Sequence, residues 1–295
     1  MSEVRIQITH FSDPGCPWAY SASPAHAVLQ WRYGPQLSWR LVLIGLRESA
    51  GGHSSSGYTT ARQASGYLNF GRRFGMPFGR QPRERLVGTG PACRAVVATR
   101  RVAPDREIAV FRALQFAQFT TPGLFDTEDG IRDALTRVEG LDVEAILAER
   151  ESAETVAAYE ADRAEARTAA GSPTEFQGRS ANTDGAVRFT APSLKLATPD
   201  GRALEVGGFQ PVEAYDVAIA NLDPTLERRD PSDDPIAILE AFPDGLTSAE
   251  AAAIATPHLG ETDLGATERA FIAAADEGAV RAEPLGDSTL WRLVD

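Results

Sequence analysis

The sequence predicts an α/β protein whose sheet comes from two separated halves of the chain, with helices inserted between them and a small module at the end. Three observations predict it. Strand, helix and strand patterns fill the first 46 residues; residues 91–168 carry helical spacing; and a proline-led strand, a second strand and a helix follow over residues 192–222. At 295 residues the chain is long enough for one large domain or two modest ones, with a real core in either case.

Residues 4–11 alternate apolar and polar side chains and run into Asp13-Pro14-Gly15, a strand followed by a sharp turn. Pro17 suits the first turn of a helix, where a missing N–H costs nothing, and residues 19–33 continue that helix with Pro24 placed to kink or divide it. Cys16 therefore sits at a helix N-terminus, where unpaired backbone N–H groups and the helix dipole lower a thiol's pKa and populate the thiolate. A small buried hydrophobe is the other reading of such a cysteine; strand, turn, cysteine and proline together favour the nucleophile. Residues 37–46 form a second strand with Leu37, Trp39, Leu41 and Leu43 on one face, and the crossover makes the two strands parallel.

Over residues 49–91 the composition shifts to Gly, Ser, Arg and aromatics, and residues 51–57 read as a loop. Arg72, Arg73 and Arg80 are interleaved with rings, a set able to hold the carboxylate of a small thiol or a phosphate. The reading favoured over it is a solvated loop whose phenylalanines plug the core. Gly88-Thr89-Gly90 lacks the third glycine and the preceding strand of a phosphate loop and is set aside. Helical patterns follow over residues 91–101, 105–120, 126–138 and 143–168. Cys93, in the first of them, reads as a core thiol; it becomes a resolving partner for Cys16 only if folding brings their Cα atoms within about 7 Å.

The second informative stretch is Ala191-Pro192 ahead of an alternating strand, the turn Pro199-Asp200-Gly201, a short strand at residues 203–206 and a helix over residues 211–222. Beyond it, residues 224–234 are an acidic, proline-punctuated linker. Residues 235–295 hold three short helices and a hairpin around Gly286-Asp287, the outline of a winged-helix-like module.

Cys16-Pro17-Trp18 after the first strand resembles the DsbA-like branch of the thioredoxin superfamily, the cytoplasmic FrnE-type proteins in particular. It matches three positions of that family's Cys-Pro-Trp-Cys, and Ala19 stands at the fourth. Ala113-Leu114-Gln115-Phe116-Ala117-Gln118-Phe119 is similar to a helix of the family's inserted domain. The resemblance spans residues 4–223 and implies a thioredoxin-like domain made of residues 1–48 and 184–223, interrupted by a loop and helical insertion at 49–183. It implies that Cys16 is the nucleophile, that Pro17, Trp18 and Ala19 stabilise or shield it, and that Ala191 and Pro192 form the cis-proline loop aligning a substrate sulfur. With no second thiol at position 19, the implied cycle is a monothiol one. An external thiol such as glutathione, mycothiol or another small thiol resolves the mixed disulfide, no cofactor is tightly held, and the partner is a disulfide-containing protein or a small thiol conjugate. The same branch holds kappa-class glutathione transferases and 2-hydroxychromene-2-carboxylate isomerases, in which case Cys16 or Ser12 would activate a bound thiol. A third reading is a non-catalytic binding scaffold.

Net charge is −12, and residues 227–295 hold 15 acidic residues against 5 arginines, which speaks against nucleic-acid binding by the tail and for protein contact. His10, His26, His53 and His258 show no paired-ligand spacing, so no metal is expected. The start lacks a signal-peptide pattern and no apolar run reaches the ~18 residues of a membrane span. With two cysteines in all, a reducing cytoplasm is the expected compartment.

Overall fold

The alternation at the start of the chain becomes β1 (Ile6–Ser12), which pairs in parallel with β2 (Leu37–Leu43), Ile6 opposite Leu37 and Ser12 opposite Leu43. On its other side β1 runs antiparallel to β5 (Ser193–Ala197), and β5 to β6 (Ala203–Val206), for a sheet order β2-β1-β5-β6. The structure, a computed structural model, describes residues 4–50 and 58–294; the loop expected at residues 51–57, with His53, lies outside the described residues.

Between β1 and β2 the chain forms α1 (Pro17–Ser21) and α2 (Ser23–Tyr33). Pro24 divides the expected helix: it stands in the first turn of α2, where its absent N–H leaves no bond unmade. The carboxyl end of β2 is buried on both faces. Leu41 and Leu43 pack with Cys93, Phe111 and Leu114 of the helical insertion, while Val42 and Ile44 pack with Phe11, Cys16 and Ala191.

The insertion opens with α3 (Thr60–Phe74), a helix where a loop was expected. Gly66 and Gly71 weaken its pattern, yet both ends carry signals: Thr59 accepts from Arg62 N–H, and Gly75, at φ 76°, stops the helix. Then come α4 (Gly90–Val102), α5 (Glu107–Thr120), α6 (Glu128–Leu135), α7 (Val143–Glu149) and α8 (Ala153–Ala166). The expected helix over residues 143–168 is two helices, because the Ser152 side chain accepts from Thr155 N–H and starts a new one. A short α9 (Pro173–Phe176) and a small hairpin, β3 (Ser180–Asn182) with β4 (Val187–Phe189), lead back to β5, and α10 (Val212–Leu222) closes the α/β part.

The C-terminal unit is α11 (Pro235–Glu240), β7 (Leu246–Thr247), α12 (Ser248–Ala255), α13 (Leu264–Asp276), β8 (Val280–Leu285) and β9 (Ser288–Leu293), its strands ordered β7-β9-β8. It shares a core with α2: Ala27, Val28 and Trp31 pack with Leu246, Ile254, Phe271 and Trp291. The stretch read as a linker is strapped to α2, with Arg229 N–H donating to Arg32 O at 2.8 Å and Trp31 Nε1 to Asp230 O at 2.8 Å. The unit also reaches the insertion. Arg112 of α5 pairs with the fully buried Glu250 of α12 at 2.6 Å, and Phe78 N–H donates to Asp287 at the hairpin tip at 3.0 Å. Among the described residues no helix is long and apolar enough to cross a membrane.

Candidate thiol site

The site starts from Asp13, whose fully buried carboxylate organises the turn after β1. Oδ1 accepts from Gly15 N–H at 2.8 Å, and Oδ2 accepts from Leu46 N–H at 2.8 Å and from Thr89 Oγ1 at 2.9 Å. These bonds tie the turn to the exit of β2 and the start of α4. Gly15 fits closely there, because a Cβ would lie 2.5 Å from Thr89 Cγ2 and force that side chain to shift. The turn delivers Cys16 to the N-cap of α1, with Pro17 in its first turn. The Cys16 thiol donates to Ala191 O at 3.2 Å, and the Ala191–Pro192 peptide is cis. The two stretches singled out in the sequence thus meet at one hydrogen bond spanning 175 residues.

The electrostatics of that sulfur differ from the expectation. Cys16 is 6% exposed, and its pKa is pushed up to about 12. Burial is the main cause; the Ala19 N–H pulls it down, the Asp13 carboxylate pushes it up, and the Trp18 N–H and the Arg188 guanidinium pull down more weakly. The amides at the start of α1 do favour the thiolate, as expected, but loss of water outweighs them, and in the resting protein Cys16 is a neutral thiol at pH 7.

Trp18 is 42% exposed and stands edge-on to Phe70 at 4.9 Å, with Phe74 and Phe209 each at 5.7 Å, an aromatic ridge beside Cys16. Ala19 is buried with Cys16 against Phe11, Val42 and Phe189. Ser12 is buried at the end of β1, and its Oγ has no hydrogen-bond partner among the described residues. Cys93 is a fully buried free thiol on α4, its Sγ 3.7 Å from Asp13 Oδ2 and packed in the insertion core, whereas Cys16 packs in a separate cluster.

Of the three arginines of residues 70–80, one reaches the aromatic ridge and two lie towards the C-terminal hairpin. Arg73 lies over the Phe74 ring at 5.0 Å, and Arg80 faces Asp287 of the C-terminal hairpin at 3.6 Å, beside a hollow that Arg72 also lines. Phe78 plugs the core, 1% exposed. The arginine whose charge bears on Cys16 is Arg188 of β4, 7% exposed and donating to Phe189 O at 3.1 Å. Sequence reasoning passed over it; the available signal was a lone guanidinium between Val187 and Phe189, just ahead of Ala191-Pro192. Among the described residues no group of three or more His, Cys, Asp or Glu side chains could hold a metal.

No protein-family model matches the chain, and no curated protein does. Solved structures do. A "probable DsbA oxidoreductase" of Streptomyces coelicolor is 17% identical, with a TM-score of 0.55 over 77% of this chain and 92% of its own. The cytosolic disulfide reductase DsbM of Pseudomonas aeruginosa is 19% identical, with a TM-score of 0.50 over 73% of this chain and 99% of its own; its structure with GSH gives 0.51. The chain has the DsbA-like thioredoxin fold. In this chain the first βα turn, which carries Cys16, and the loop before the antiparallel strand β5, which carries Ala191-Pro192, converge. About a quarter of this DsbA-like chain lies outside each match.

Proposed function

We propose that the protein is a thiol-disulfide oxidoreductase acting through Cys16 alone. The observation that carries this reading is the 3.2 Å hydrogen bond from the Cys16 thiol to Ala191 O, with Ala19 occupying the place of a second thiol. Cys16 loses its proton to solvent, and its sulfur bonds to one sulfur of a disulfide and expels the other as a thiolate. A small external thiolate then attacks the mixed disulfide, forms a new disulfide with the substrate half and releases Cys16. Glutathione is the first thiol to try, since the similar DsbM structure carries GSH. The Trp18 ridge offers apolar surface to a disulfide-bearing polypeptide, and the acidic, winged-helix-like C-terminal unit offers a second protein contact. The neighbour's cytosolic setting supports a reducing compartment.

A second reading, a binding scaffold on a redox fold, is favoured by one observation: Cys16 is 6% exposed, and this burial pushes its pKa up and disfavours the thiolate. Incubation with oxidised glutathione followed by intact-mass measurement separates the two. The oxidoreductase forms one glutathione adduct in the wild type and in Cys93→Ser, none in Cys16→Ser, and reduced glutathione reverses it. Absence of any adduct between pH 7 and 9 leaves the scaffold.

A further inference from the structure

We propose that the hollow between the exit of β2, α8 and the β3–β4 hairpin holds a carboxylate of the small external thiol, with Arg188 as its partner. The inference rests on the oxidoreductase reading of Cys16 and adds the chemical class of its co-substrate. The observation behind it is an unpaired charge. Arg188 is 7% exposed yet joins none of the ion pairs among the described residues, whereas a charge so deeply buried is ordinarily paired. Its Nε donates to Thr183 Oγ1 at 3.4 Å and its Nη1 to Phe189 O at 3.1 Å. Nη2, with two N–H groups, donates to no atom among the described residues, and unlike the sealed Ser12 Oγ it is open to water. Residues 51–57 carry no acidic side chain.

The hollow that Arg188 lines has a volume of about 470 Å³, room for a tripeptide-sized molecule, and its walls hold Arg47, Arg163 and Arg188 against two carboxylates, Glu48 and Asp184. Both carboxylates are engaged by arginines of their own, Glu48 by Arg94 at 2.6 Å and Asp184 by Arg167 at 2.5 Å. Arg163 pairs with Glu160 at 2.9 Å; Arg188 has no such partner. The walls therefore favour an anion, and a guanidinium with a free N–H pair is the donor that a carboxylate matches. Position ties that anion to the thiol. Leu46 lines the hollow and also packs in the cluster that holds Cys16, and the charge of Arg188 acts on the Cys16 sulfur. A molecule anchored at Arg188 thus lies beside the reacting sulfur, which in the proposed cycle is the place of the external thiol. A thiol without an anionic group would leave Arg188 unpaired.

The test compares two disulfides of one skeleton on the full chain in a Cys93→Ser background: oxidised glutathione, and its tetraethyl ester, in which the carboxylates are masked. The Cys16 thiolate bonds to one sulfur and releases the other half as a thiolate, and intact-mass measurement at pH 8 follows the rate. The expected result is adduct formation about tenfold faster with oxidised glutathione, a difference of ~1.4 kcal/mol. Arg188→Gln should bring that ratio close to one, and Arg188→Lys, which keeps the charge, should retain part of it, with circular dichroism confirming that both variants are folded. Either change also alters the ionisation of Cys16, but equally for the two disulfides, so the ratio is insensitive to it. Equal rates in the protein with Arg188 intact overturn the proposal without any Arg188 variant, as does a ratio unchanged in folded Arg188→Gln. If neither disulfide gives an adduct, the oxidoreductase reading fails and the carboxylate site falls with it; adduct formation without preference refutes the carboxylate site alone.

Discussion

Cys16 should react as a thiol that ionises far above neutrality. Its pKa of about 12 stands three units above the ordinary value of 9.0, so at any pH below 9 it carries about a thousandfold less thiolate than an exposed cysteine. Iodoacetamide alkylation, followed by mass spectrometry in a Cys93→Ser background, should therefore run about a thousandfold slower than for an exposed thiol at pH 7. Its logarithm should climb with unit slope past pH 10. Two variants test the causes. Asp13→Asn removes a carboxylate that opposes ionisation and should lower the pKa, whereas Arg188→Gln removes a favourable charge and should raise it. The same shift has a stability consequence: because the folded pKa is raised, the stabilisation is complete below pH 9 and is lost as pH rises towards 12, by up to about 4 kcal/mol. A rate that levels off below pH 8 would refute the reasoning, since the amides of α1 would then have outweighed burial.

Three further outcomes follow from particular contacts. His26 is depressed from 6.5 to about 4, so its contribution is complete above pH 6.5 and falls away as pH drops towards 4, by about 3 kcal/mol, with His10 adding in the same direction. Urea midpoints measured between pH 7 and 4.5 should fall steeply for the wild type and more gently for His26→Phe; parallel curves would remove the buried imidazole as the cause. Glu250→Ala strands the Arg112 guanidinium and should cost about 3–5 kcal/mol in chemical denaturation, while the double change Arg112→Met with Glu250→Leu should recover most of it. Gly15→Ala places a methyl 2.5 Å from Thr89 Cγ2 and should destabilise by about 1–3 kcal/mol; an unchanged Tm would show that Thr89 can move.

What the chain settles by itself is whatever rests on neighbours a few residues apart. The alternation before Asp13, the proline-started helices, the apolar spacing of α4 and α5 and the strands after Pro192 are steric and periodic signals, and each became the element it announced. α3 stands where a loop was expected: Thr59 and Gly75 cap it and Gln63, Ala64 and Tyr67 bury one face, but two glycines diluted the periodicity. The ionisation of Cys16 was not legible in this way. The local amides argue for a thiolate, and the outcome was decided by Phe11, Val42, Phe189 and Ala191 closing over the sulfur and by Asp13 and Arg188 setting the field around it. Nor could residue spacing reveal that His10 meets His26, that Arg80 turns to Asp287, or that the acidic tail packs on α2. Local pattern fixes backbone preference, whereas desolvation and Coulomb fields are sums over whatever atoms the folded chain brings together, and at this site those atoms come from segments more than 170 residues apart.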